Sequence, residues 1–187
     1  LALEKAFHLR QRAILLVGIL AGLLIYIDYA AVPFPNRSAE ISPFYTDYLD
    51  KVPNDVALAI LPTGRQEDKW YMYYQTIHQH PMTNGVVSRL EAETFHFIRT
   101  NPLLRAGSVN LEPVPIPDNV EDSFRLLAEN NVGFLVLDKA LMEESQLDLE
   151  AWRKAIPFEP VYEDAFVLVY ETSPNSNVGA AITTGLY

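Results

Sequence analysis

Two short apolar runs, VALAIL at residues 56–61 and FLVLD at residues 134–138, decide the fold predicted for this chain. Turn-forming residues flank both runs: Asn54 and Asp55 precede the first, and Gly133 precedes the second. Continuous apolar runs of this length are typical of strands buried on both faces of a sheet. With helices between them, they predict a β-α-β crossover that is parallel and right-handed.

The segments around these strands carry helix and hairpin patterns. Trp70, Tyr73, Tyr74 and Ile77 recur on one helical face in a segment that Pro81 ends. Capping residues and apolar periodicity predict further helices over residues 42–53, 91–100, 118–130 and 141–156, with a Pro-punctuated loop at 106–117. PVYEDAFVLVYE at 160–171 predicts a terminal hairpin. The expected fold is a small mixed α/β domain over residues 35–172.

The N-terminal part has the pattern of a membrane anchor. The 22 residues from 13 to 34 are apolar apart from Asp28, and a helix of about 20 such residues spans a bilayer core. A cleaved signal peptide is the alternative interpretation. Basic residues precede the run and acidic residues follow it, so the positive-inside rule predicts a cytoplasmic N-terminus and an extracytoplasmic domain. This indicates a single-pass protein of the inner or plasma membrane.

Two features predict that this helix has neighbours. Gly18 and Gly22 form a small-xxx-small pair, which allows close helix approach in lipid, although chance glycine content explains it equally well. The tail at residues 173–187 carries no charge and would not order alone, so we expect it to be docked on something else. The chain also starts at Leu1 inside a continuing amphipathic pattern, which suggests a piece of something longer or a processed subunit.

Composition excludes several classes of function. The formal net charge is −10, and residues 35–187 carry essentially all of the acidic excess, so nucleic-acid binding is not expected. Without cysteine there can be no disulfide, thiolate metal site or cysteine nucleophile. No nucleotide-binding glycine motif or hydrolase triad order is present, and we expect no cofactor.

Three segments together resemble a known domain. They are YMYYQTIHQHPMTNGVVSRL (71–90), LLAENNVGFLVLDK (126–139) and the hairpin sequence at 160–171. They are similar to the C-terminal extracytoplasmic domain of bacterial polytopic membrane proteins of the GT-C glycosyltransferase-like superfamily. The positions that match its central motif are Tyr74, Gln75, His78, Pro81, Gly85, Ser88 and Arg89. The resemblance implies a peripheral domain without the superfamily's catalytic acids, which belong to early outer loops.

Candidate site residues follow from this central segment. Tyr74, Gln75, His78, Ser88 and Arg89 are the candidates for a ligand site, which the resemblance would make a site for a lipid-linked sugar. Backbone amides near Ser88 and the Arg89 guanidinium could also bind an anion, although pairing of Arg89 with an acid explains it more simply.

His78 and His80 are weak candidates for metal ligands, because two imidazoles two residues apart share a metal only in an extended chain. Thr63-Gly64-Arg65 follows the first strand, where open α/β sheets bind ligands, but is too short for a phosphate motif. Asn36-Arg37-Ser38 fits a glycosylation sequon, which carries little weight in a bacterial protein.

The preferred hypothesis is a non-catalytic accessory or interaction subunit. Its partners would be membrane lipid and the transmembrane helices or subunits of a larger complex, such as a respiratory or photosynthetic one. The alternative from the enzyme class is the C-terminal part of a GT-C-like membrane glycosyltransferase that uses a lipid-linked sugar donor. A third, a metal-dependent hydrolase, requires metal on His78 and His80.

Overall fold

The computed structural model describes residues 2–29, 40–85 and 95–173, and the side chains of residues 12–28 within the first range. The chain divides into two compact units, Leu1–Glu40 and Ile41–Tyr187. The predictions for Ser88, Arg89, the sequon and the docked tail lie outside the described residues.

The described residues of the first unit form the helix α1, which covers Ala2–Tyr29. Large apolar side chains from Ile14 to Ile27 are 52% to 69% exposed along it. In the three ranges described, no helix combines the length and the hydropathy that crossing a membrane requires. The anchor expected over residues 13–34, of which 30–34 are not described, stays a prediction.

The second unit is a mixed α/β domain around a four-stranded sheet, which agrees with the predicted fold class. Its strands lie in the order β1-β2-β4-β3 and cover Ala57–Leu61 (β1), Val132–Asp138 (β2), Tyr162–Glu163 (β3) and Val167–Glu171 (β4). β1 and β2 are parallel, as the two apolar runs predict, and β4 is antiparallel to both β2 and β3. The terminal hairpin is therefore confirmed.

The apolar runs are continuous because successive side chains point to opposite faces of the sheet and both faces are buried. In β1, Ala59 and Leu61 pack on one face of the sheet, and Leu58 and Ile60 pack on the other. Both faces are covered by helices, so neither set of side chains meets water. The first face carries α4 (Pro102–Ala106), α5 (Val120–Glu129) and α7 (Leu149–Ala155), and the second carries α2 (Glu67–His78) and a π-helical turn at Phe44–Tyr48.

Two helix predictions need correction. The helix expected over residues 141–156 is broken into α6 (Lys139–Glu144) and α7, because Gln146 has a left-handed φ of 58° and Asp148 caps a new helix start. The helix expected over residues 118–130 does not begin at Asp118, since α5 covers Val120–Glu129. Asn119 is the cap instead, because its side chain accepts from the N–H of Asp122.

The remaining helices agree in part with the sequence. Only His96–Thr100 (α3) of the helix expected at 91–100 lies within the described residues. The segment at 42–53 forms a π-helical turn followed by a 3₁₀ turn at Leu49–Lys51 instead of a regular α-helix. Just before this turn, the Oγ of Ser42 accepts a hydrogen bond from the N–H of Phe44 at 3.0 Å.

Candidate functional site

Polar side chains gather where the parallel strands β1 and β2 end. Leu61 pairs with Leu137, so the residues that follow β1 lie beside the end of β2. Thr63 and Gly64 follow β1, and Asp138 ends β2. The carboxyl edge of a parallel sheet is where open α/β folds bind ligands, because loops there surround a crevice above the strand ends.

Helix α2 places the carboxylate of Asp68 at this edge of the sheet. Asp68 lies in its first turn and is 3% exposed. The Oδ1 of Asp68 accepts a hydrogen bond from the N–H of Gly64 at 3.3 Å. Helix α2 is therefore tied at its start to the loop that leaves β1, with a carboxylate held inside the protein.

The segment after α2 brings the side-chain amide of Asn84 to the same edge of the sheet. Gln79 takes a left-handed φ of 58° and ends the helix. The following residues run alongside β1: the N–H of Leu58 donates to Pro81 O at 2.8 Å, and that of Thr83 donates to Leu58 O at 2.9 Å. Asn84 then reaches the carboxyl edge, and its Nδ2 donates to Asp68 Oδ1 at 2.8 Å.

We name Thr63, Asp68, Tyr71 and Asn84 the carboxyl-edge cluster. All four are buried, yet Thr63 Oγ1, Tyr71 OH and Asn84 Oδ1 have no hydrogen-bond partner among the described residues. Buried polar atoms are nearly always hydrogen-bonded in proteins. The three atoms could therefore bind a water molecule or the polar groups of a small ligand.

Burial disfavours negative charge within this cluster. Burial raises the pKa of Asp68, and the hydrogen bonds from Asn84 and Gly64 oppose that change only in part. Burial also raises the pKa of Tyr71 far above its usual value, and the negative charges of Asp138 and Asp68 add to the effect. Burial is thus the main cause of the raised pKa at both Asp68 and Tyr71.

The candidates named from the sequence lie towards the other end of α2. The ring of Tyr45 stacks on those of Tyr74 and His78, with centroids 5.1 Å and 5.4 Å away. Gln75 Nε2 donates to His80 O at 3.1 Å. The structure therefore brings Tyr74, Gln75 and His78 together, and their role as ligand-binding residues stays a prediction.

The two histidines are engaged mainly with the backbone. His78 Nδ1 accepts from the N–H of His80 at 3.0 Å, and burial with the nearby His80 lowers the pKa of His78 to about 4. The ring nitrogens of His80 lie 3.0 Å from Val56 O and 3.2 Å from Leu49 O. His78 Nε2 is buried without a partner among the described residues.

No group of three histidine or carboxylate side chains in the described ranges is arranged to hold a metal. Both ring nitrogens of His80 already face carbonyl oxygens, which makes this residue a poor metal ligand. The hydrolase hypothesis gains no support from this arrangement.

Sequence reasoning identified the position of Thr63 and Gly64 but missed Asp68 and Asn84. The signal for Asp68 was present, since a carboxylate in the first turn of a helix after a glycine loop often faces that loop's amides. Nothing local to Asn84 indicates its partner, which is 16 residues away.

Comparison with known proteins adds no relative to these observations. The chain matches no protein-family model, no curated protein and no solved structure. The GT-C-like resemblance therefore stays a prediction that rests on the three sequence segments.

Proposed function

We propose that this chain is a membrane-anchored, non-catalytic accessory subunit that docks on a larger membrane protein complex. The observation that carries the proposal is the surface of α1, where the large apolar side chains from Ile14 to Ile27 are more than half exposed. Such a surface is unfavourable in water, at about 25 cal/mol for each Å² of apolar area. Lipid or other helices would remove it from water.

The distribution of these side chains supports a surrounding apolar medium. Consecutive residues from Ile14 to Val17 and from Leu23 to Ile27 are apolar and exposed, so they cover all sides of the helix. A helix that is apolar on every side is typical of a membrane or of the centre of a large assembly. The sequence run on which this anchor depends continues to residue 34, beyond the described part of α1.

The glycine pair supports helix–helix contact within that medium. A Cβ built at Gly18 or Gly22 would meet no atom within 4 Å in the described part of the chain. The two positions lie one turn apart and form a shallow notch on one side of α1. In lipid, close packing of this kind drives helices together, because hydrophobicity does not distinguish lipid from protein.

Charge supports a protein partner for the second unit. Basic residues precede the apolar run, and Glu40 and Asp47 follow it, which favours an extracytoplasmic position for the α/β domain. The formal charge of −10 repels anionic lipid headgroups. We therefore propose that this domain docks on another subunit instead of lying on the lipid surface.

The test is purification of the tagged chain in mild detergent, with mass spectrometry of the intact chain and of everything bound. We expect stoichiometric partners and a chain mass near 21.1 kDa. A monodisperse monomer without partners would contradict the proposal. Membrane flotation, with protease added from the outer side, tests the anchor and the orientation separately.

A matched pair of variants tests the helix contact. Gly18→Ile with Gly22→Ile fills the notch, whereas Leu20→Ile with Leu24→Ile changes a face about 200° away. We expect the first variant to lose partners and the second to keep them. Equal partner recovery from both would rule out the glycine notch as the contact.

The carboxyl-edge cluster favours a second candidate function, the C-terminal part of a GT-C-like transferase with a retained sugar site. Sugar hydroxyls both donate and accept, so they would suit the atoms of Thr63, Tyr71 and Asn84 that have no partner among the described residues. An intact mass far above 21.1 kDa, without partners, would favour this candidate over the accessory subunit.

A further inference from the structure

A groove on the second unit is lined by two arginines, although the chain is acidic overall. It has a volume of about 340 Å³. Arg99 of α3 and Arg105 of α4 line it, together with Thr100, Pro102, Val114 and Pro115. The groove lies outside the carboxyl-edge cluster and shares no residue with it.

The two guanidinium groups have no counterion within the described domain. Neither Arg99 nor Arg105 forms an ion pair or a hydrogen bond with any described residue. Arg125 and Arg153, by contrast, are paired with carboxylates on their own or neighbouring elements. Two positive charges on one groove, without a counterion among the described residues, repel each other, and a bound anion would relieve that repulsion.

The corner that presents the two arginines is rigid. Asn101, between α3 and α4, is 1% exposed, and its Oδ1 accepts from the N–H groups of Leu103 and Leu104 at 3.0 and 3.2 Å. Its Nδ2 donates to Ser123 O on α5 at 3.0 Å. The corner is therefore fixed before any ligand arrives, and this lowers the entropic cost of binding.

The walls of the groove are partly apolar, which indicates that a ligand would have an apolar portion beside its charged group. Pro102, Val114 and Pro115 offer apolar surface beside the two charges. The fixed φ of proline limits the motion of these walls. The volume is at the lower end of the range for small-molecule sites, about 300–1,000 Å³, and suits a small ligand better than a peptide chain.

We propose that this groove binds a phosphate ester, with its phosphate between Arg99 and Arg105 and its carbon portion against the two prolines. Two guanidiniums match the charge and the bidentate geometry of a phosphate group. The ester is either a small soluble molecule or the headgroup of a lipid. This inference does not depend on the proposed accessory function.

The test uses the full chain in a neutral detergent, because α1 exposes apolar side chains. In one arm, glycerol 3-phosphate is titrated and the heat of binding is measured. In the other, native mass spectrometry measures retention of phosphatidic acid from mixed micelles, with phosphatidylcholine as the reference lipid. Saturable binding in the first arm identifies a soluble ester, and selective retention in the second alone identifies a lipid headgroup.

The variant Arg99→Gln with Arg105→Gln should weaken binding in the positive arm about tenfold or more, because each guanidinium supplies charge-assisted hydrogen bonds. The control is Arg125→Gln with Lys69→Gln, which removes the same charge from exposed positions elsewhere and should change affinity less than about twofold. Absence of binding in both arms, or equal loss in the control, would overturn the proposal.

Discussion

The side-chain amide of Asn84 donates to the carboxylate of Asp68 at 2.8 Å, although 16 residues separate them along the chain. This contact joins the first turn of α2 to the segment that follows the helix, after the chain has travelled about 18 Å along α2 and returned. It closes the carboxyl-edge cluster beneath the ends of β1 and β2. Its energetic consequence is that a carboxylate is kept inside the protein with neutral donors.

Asp68 should make the protein less stable as pH rises. Its pKa is raised above the usual 3.8, so the folded state binds the proton more tightly than the unfolded state does. Its contribution to stability is therefore fully present below pH 3.8 and is lost as pH rises through the folded-state pKa. Asp68→Asn keeps an oxygen acceptor and removes the charge.

We expect the stability of Asp68→Asn relative to the wild type to increase from about pH 4 to pH 7, as measured by urea midpoints. Asp118→Asn removes an exposed carboxylate and serves as the control. A relative stability of Asp68→Asn that does not change over this range would contradict the prediction.

His78 should have the opposite pH dependence. Its pKa falls from 6.5 to about 4 because burial and the nearby His80 disfavour the charged ring. Its contribution is fully present above pH 6.5 and is lost as pH falls from 6.5 to 4, by up to about 3 kcal/mol. The unfolded state takes up the proton first in this interval.

His78→Asn keeps an acceptor for the N–H of His80 and cannot titrate. Thermal unfolding between pH 4 and 6.5 should show a flatter pH dependence for this variant than for the wild type. His96→Asn, at an exposed histidine of α3, is the matched control. The explanation fails if both variants flatten the profile equally.

Gly107 should tolerate no side chain. A Cβ at this position would lie 2.7 and 2.8 Å from the two terminal methyl groups of Leu61, which is fully buried in β1. The φ of Gly107 is −87°, so crowding and not backbone strain opposes substitution. Gly107→Ala should therefore cost about 1–3 kcal/mol of unfolding free energy, from urea denaturation.

Gly85→Ala is the comparison, because a Cβ there would meet nothing within 4 Å in the described residues. It should be neutral or slightly stabilising through a smaller entropy of the unfolded chain. Combining Gly107→Ala with Leu61→Ala tests the contact directly. The double variant should lose less than the sum of the two single losses.

Glu163 should stabilise the hairpin through its ion pairs with Arg153 and Lys139. Hydrogen bonds from Arg153 and Lys139 lower the pKa of Glu163 to about 2. The contribution is present above pH 4.5 and is lost as pH falls from 4.5 to 2. Because the side chain is 37% exposed, solvent screening limits the loss in Glu163→Gln to about 1 kcal/mol at neutral pH.

Glu129→Gln is the matched control, since Glu129 has one partner, Arg125, and both side chains are more than half exposed. Urea midpoints at neutral pH should fall more for Glu163→Gln than for Glu129→Gln, and high salt should reduce that difference. An equal effect of the two substitutions would show that the second cation, Lys139, adds nothing.

Local pattern was enough to predict much of the secondary structure and the parallel pairing of β1 with β2. VALAIL and the FLVL of residues 134–137 are apolar at every position because helices cover both faces of the sheet, so the sequence alone predicts this burial. The position of Thr63 and Gly64 at the carboxyl edge follows from the same strands. The break between α6 and α7 was missed, because the apolar spacing continues through a left-handed residue, Gln146.

The sequence by itself determined a mixed α/β domain in which β1 and β2 are parallel, because each strand and helix is specified by residues close together in the chain. Only the tertiary structure decided that Asp68 meets Asn84 and that Arg99 and Arg105 line one groove. Those arrangements depend on where the chain reverses, at the left-handed Gln79 and at the buried corner residue Asn101. Such reversals bring together side chains that are distant in the sequence, and the apolar periodicity within one segment does not predict them.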